Sequence, residues 1–141
     1  MPRTRIAGVL ATTSVLALAL SGCSVASALG PQVESGIWDT AKDMKASDTA
    51  VFGSPKFIPD DATVIRVDYD THNGTAIMTY SSHAHVAPNT CQKDTAVPKA
   101  AIQDSWWPVD GLPAKASDCG GGWSAFAIGD QVWAAKAAPA K

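Results

Sequence analysis

Thr63-Val-Ile-Arg-Val-Asp-Tyr69, His72-Asn73-Gly74 and Thr75-Ala-Ile-Met-Thr-Tyr80 follow one another directly, and their reading decides the fold. The first run alternates. Ile65, Val67 and Tyr69 fall on one side of an extended chain, with Val64, Arg66 and Asp68 on the other. In the second run Ile77 and Thr79 oppose Met78 and Tyr80. Asn-Gly between two such runs is the strongest short hairpin signal, because both residues tolerate the positive φ of a tight turn. An antiparallel hairpin over 63–80 follows. Trp123–Ile128 and Gln131–Ala135, joined by Gly129-Asp130, predict a second hairpin with a type II′ turn.

Upstream of the first hairpin, Ile37, Ala41 and Met44 recur at helical spacing with Trp38 beside them. Ser35 is a candidate cap, and Lys42 and Lys45 suit the C-terminal end. These signals predict a helix. Between the hairpins, residues 82–122 carry the Trp106-Trp107-Pro108 step and Gly120-Gly121-Gly122, with a short helix expected over 96–103 around Pro98. The expected fold class is α+β: a small antiparallel sheet of two hairpins, four or five strands in all, with one packed helix and a disulfide-stapled irregular region.

A chain of 141 residues has room for one small domain. It is 46% hydrophobic and 17% charged, with a net charge of −2, which excludes a disordered acidic tail and a basic nucleic-acid binder. Three cysteines exclude a four-cysteine zinc site.

At the N-terminus, Arg3 and Arg5 precede an apolar run from Ile6 to Leu20. Positive n-region and apolar h-region fit a secretory signal peptide, and the run is shorter than the roughly 20 residues of a spanning helix. Leu20-Ser21-Gly22-Cys23 then resembles the lipobox of bacterial lipoproteins: an aliphatic residue, a small residue, Gly or Ala, and Cys. The resemblance covers this segment and does not extend into the domain behind it. It implies that the Cys23 thiol receives a diacylglycerol and that signal peptidase II removes residues 1–22. Two acyl chains on one cysteine give durable attachment where a single chain binds marginally. The implied location is the outer face of a bacterial cell membrane. The abundance of Ala, Gly and Pro suggests a high-GC Gram-positive source.

Processing at Cys23 removes Arg3 and Arg5, leaving 9 of the 11 basic side chains against 13 acidic ones, a net charge of −4. Such a domain gains nothing from phosphate backbones, so nucleic acid is not an expected partner. Small and polar residues 24–35, broken by Gly30-Pro31, read as a flexible tether behind Cys23, with residues 36–141 as one globular domain. With Cys23 committed to lipid, Cys91 and Cys119 form an even pair in a disulfide-permissive compartment and are expected to be bridged.

Signals for chemistry are sparse. Gly122-Trp123-Ser124-Ala125-Phe126 lacks the last glycine of a Gly-x-Ser-x-Gly nucleophile elbow. His83 and His85 would share one side of an extended segment as two metal ligands, with His72 the remaining histidine. Counted from Asp68, the positions an EF-hand reserves for Gly and Glu hold Asn73 and Thr79. Glu34, the one glutamate, lies in the tether. No catalytic residue, metal ligand or cofactor is therefore assigned.

Of the five tryptophans, Trp38, Trp123 and Trp133 are expected in the core. Trp106 and Trp107 are adjacent before a proline and cannot both point inward on one strand, so they are candidate ligand or partner contacts. The expected function is a membrane-anchored envelope lipoprotein with a non-catalytic binding or accessory module, its partner an envelope protein or glycan. The alternatives are an inhibitor or exclusion factor presenting the 91–119 loop, and an envelope hydrolase or metal-dependent enzyme using His83 and His85.

Overall fold

The computed structural model describes residues 32–139. The leader, the Leu20–Cys23 box and tether residues 24–31 lie outside the described residues. Strand β1 (Val33–Thr40) leads into helix α1 (Ala41–Ala46) and a 3₁₀ turn at Ala50–Phe52. Six strands follow: β2 (Thr63–Asp70), β3 (Ala76–Ser81), β4 (Lys93–Thr95), β5 (Ala116–Asp118), β6 (Trp123–Ile128) and β7 (Gln131–Lys136). They form one antiparallel sheet in the order β1-β2-β3-β7-β6-β5-β4. Two meanders therefore meet where β3 pairs with β7.

This corrects the α+β expectation. The protein is essentially all-β, with a seven-stranded sheet where four or five strands were expected. The stretch read as one helix is a strand followed by a six-residue helix. Thr40, not Ser35, is its cap: the Thr40 hydroxyl accepts from the Asp43 N–H at 3.2 Å. Ala41 and Met44 do bury one face of α1, whereas Ile37 stands exposed on β1. Val33–Ser35, read as the end of the tether, already pairs with β2. No helix forms over 96–103.

Both hairpins are present, and their alternation is as the sequence predicts. Ile65, Val67, Met78, Tyr80, Val132, Ala134, Trp123 and Ala125 line the first face. Ala41 and Met44, Phe52, Phe57, Ile58 and Ala62 cover it. In the second hairpin Gly129 takes φ 62° and Asp130 does not turn positive, as a type II′ turn requires. The first turn differs from the Asn-Gly expectation. Gly74 alone is left-handed, at φ 70°, and its N–H reaches back to the Asp70 carbonyl at 2.9 Å. Asn73 acts through its side chain instead, accepting from the Thr75 N–H at 2.9 Å.

On edge strand β1 the Trp38 indole folds back over Gly36, so a Cβ at Gly36 would collide with the ring. Here an aromatic side chain covers the bare backbone of an edge glycine. Against β3, strand β2 bulges between Thr63 and Arg66, and Val64 sits there at φ 51° with 68% of its surface exposed. A β-branched residue in the left-handed region is strained, and little packing offsets the strain here. Val64→Gly is expected to stabilise the fold by about 0.5–1 kcal/mol, the relief of roughly 1–2 kcal/mol exceeding the added freedom of the unfolded chain. Thermal unfolding checks this; a lowered melting temperature would show that the valine side chain contributes contacts.

Candidate binding loop and its anchorage

Cys91 and Cys119 are joined by a disulfide. The bond lies beside the β4–β5 pair, where the Gln92 N–H donates to the Asp118 carbonyl at 3.1 Å. It closes a segment that leaves the edge of the sheet and returns across the sheet's second face. Ala100 and Ile102 of this segment bury against Ile77 of β3 and Ala135 of β7, with Trp106 and Trp107 packed beside them.

Neither tryptophan is fully exposed. Both are half-buried and hold the segment down. The Trp106 Nε1–H donates to Asp68 Oδ2 at 3.0 Å, and the Arg66 guanidinium lies 5.2 Å from the centre of the Trp106 ring. Arg66 also reaches Asp104 at 3.2 Å. Trp107 meets Phe126 edge-on, with ring centroids 5.8 Å apart, and Phe126 stacks on Trp133 at 6.0 Å. Of the other tryptophans, Trp123 is buried in the first face and Trp38 half-buried against it, whereas Trp133 lies half-buried on the second.

Asp68 is the centre of this anchorage. It is 1% exposed on β2 and accepts from the Ser35 hydroxyl as well as from Trp106. A buried carboxylate holds its place when its oxygens are hydrogen-bonded, and these are. Burial acts to raise the Asp104 pKa. Hydrogen bonds from the Ser105 hydroxyl and the Trp106 N–H, with the Arg66 charge, outweigh it and hold the Asp104 carboxyl below its ordinary value. Asp70, two residues along β2, takes the His72 N–H at 2.8 Å and the Asn73 amide at 3.0 Å. It serves the turn.

Beyond Pro108 the segment lifts away from the sheet. Val109 is 80% exposed and Leu112 also stands out, with Gly111 turning the chain between them at φ 68°. The apolar tip is thus carried on a base fixed by a disulfide at its ends and by Trp106 and Trp107 within it.

Neither a protein-family model, nor a curated protein, nor a solved structure matches this chain. The site must be read from its own chemistry.

His85 has φ 57°, which takes the segment out of the extended geometry that would aim both rings one way. His83 Nδ1 lies 3.3 Å from Asp130, at the exposed end of the sheet. The backbone there is organised by Asp61, whose carboxylate accepts from the Ser82 hydroxyl at 2.7 Å and from the His83 N–H at 3.0 Å. The Ser82 bond first, and then the Ala84 and His83 N–H groups, hold the Asp61 carboxyl below its usual range against the opposing effect of burial. Tyr80 donates to the His85 carbonyl at 2.6 Å, and burial pushes its phenol well up. Among the described residues, no group of three or more His, Cys, Asp or Glu is placed to hold a metal ion.

The residues that organise this site and escaped sequence reasoning are Arg66, Asp68 and Asp104 under the loop, and Val109 and Leu112 at its tip. The signal for the first group lies on the neighbouring strands. Ile77, Phe126 and Ala135 are apolar on the face opposite the main core, and a sheet apolar on both faces needs a second cover.

Proposed function

We propose that the chain is a membrane-anchored envelope lipoprotein whose domain is a non-catalytic binding or accessory module. The Leu20-Ser21-Gly22-Cys23 box behind a charged and apolar leader carries this reading. Two further observations support it. The Cys91–Cys119 bond suits an exported domain. The chain before β1 offers Gly30-Pro31 and small residues as a spacer. Acyl attachment predicts that wild-type protein incorporates labelled palmitate and sediments with membranes, and that Cys23→Ala does neither. A wild-type protein that takes up no label would overturn the reading.

One observation favours a second reading, that of an inhibitor or exclusion factor presenting the 91–119 loop. Its tip residues Val109 and Leu112 are exposed while its base is bonded and packed. A loop fixed before binding loses less conformational entropy on binding.

A further inference from the structure

We propose that β1 is a self-pairing edge, through which two copies of the chain join as an antiparallel β1–β1 dimer about a two-fold axis at Ile37. Among the described residues β1 has β2 on one side and no strand on the other. Edge strands in natural proteins are commonly guarded by lysine, proline, a bulge or short length, because their unpaired N–H and C=O groups template another chain. Val33–Thr40 is eight residues of regular pairing without Lys, Pro or a bulge, and its only charges are Glu34 and Asp39. Ile37, 70% exposed, and the exposed Val33 lie on one face of it. The sheet's other edge, β4, is three residues long. It cannot receive β1 head to tail, so self-pairing is the contact that closes.

The hydrogen-bonding phase agrees. The Thr71 N–H donates to the Gln32 carbonyl at 3.0 Å. Position 32 therefore faces β2, and by alternation Val33, Ser35 and Ile37 turn their backbone groups outward. With the axis at Ile37, the two Ile37 residues exchange both backbone bonds and their side chains meet on one face. Ser35 then stands opposite Asp39 of the second copy, Glu34 opposite Thr40, and Gly36 opposite Trp38. No like charges are opposed. Moving the axis one residue to Gly36 would set Asp39 against Val33 and Glu34 against Trp38. The Ile37 register opposes no like charges and brings the two exposed Ile37 side chains together.

Site-specific cross-linking of the full chain tests this. Ile37→Cys should give a disulfide-linked dimer on mild oxidation, about tenfold or more faster than Val109→Cys, a more exposed position away from the edge. Val33→Cys and Asp39→Cys lie on the same strand and face. Asp39 and its mate would be roughly 14 Å apart, and Val33 and its mate farther still, beyond disulfide reach, so neither should cross-link. Ile37→Lys should sediment as a monomer at concentrations where the wild type sediments as a dimer, with its circular dichroism unchanged. Three results would overturn the proposal. They are a wild type that stays monomeric, Ile37→Cys that links no faster than Val109→Cys, and equal linking at positions 33, 37 and 39. Residues 24–31 folding onto the edge, or a different protein occupying it, would give the first of these.

Discussion

Reducing the Cys91–Cys119 bond is expected to lower the melting temperature of the protein by about 15 °C and to open the chain between the two cysteines before any other part. The size follows from loop closure. A bridge across a separation of 28 residues restricts the unfolded chain by roughly 3–4 kcal/mol in the chain-entropy account, a large share of the stability of a small domain. The order follows from the fold. The β2–β3 hairpin lies inside the sheet with β1 and β7 on its flanks, whereas β4 is a three-residue edge strand beside the bond. Limited proteolysis of reduced protein should cut first within 92–118 while 63–81 stays protected. Uniform cleavage, or an unchanged melting temperature, would show that the bond contributes little to holding the loop.

Asp68→Ala is expected to cost about 2–3 kcal/mol, or on the order of 10 °C in melting temperature. It removes the acceptor of Trp106 and Ser35 at a position with 1% exposure, leaving their donors to find water or go unpaired. The loop should loosen from the second face, and tryptophan fluorescence should shift to the red as the Trp106 and Trp107 rings gain solvent. Asp68→Asn, which keeps one acceptor oxygen, should lose less. The Trp106→Phe change keeps an aromatic ring and deletes the donor. Combined with Asp68→Ala it should cost clearly less than the two single changes together, because both break one bond. Additive costs would mean that Asp68 stabilises the sheet by another route and does not latch the loop.

What was legible in the chain was what has a short period. Ile65, Val67 and Tyr69 alternate with Arg66 and Asp68, Gly129-Asp130 demands a particular turn, and both hairpins form, the first with a different turn from the one read. The helix signal misled because Ile37, Ala41 and Met44 fall at helical spacing across a junction. Ile37 lies in a strand that pairs with β2, where it stands opposite Arg66 far downstream, and the helix begins after that strand. Tertiary pairing overrode a local pattern. The strands at 93–95 and 116–118 are too short to show any alternation, and the disulfide and the β6 edge bring them together. Asp68 gave no local sign of burial, because Arg66 and Asp70 on the same side of the strand are charged. Its burial comes from Trp106, 38 residues away, a contact that no local window contains. The exposed edge of β1 was hidden for the same reason, since a residue's exposure on a strand depends on which strands lie beside it.

The mass of the protein isolated intact from membranes tests the central claim most directly. The account predicts a chain that begins at Cys23, carries a diacylglyceryl modification on that residue, and is two hydrogen masses lighter than its fully reduced form because of the Cys91–Cys119 bond. A chain that retains residues 1–22, or one cut elsewhere with Cys23 unmodified, would contradict it.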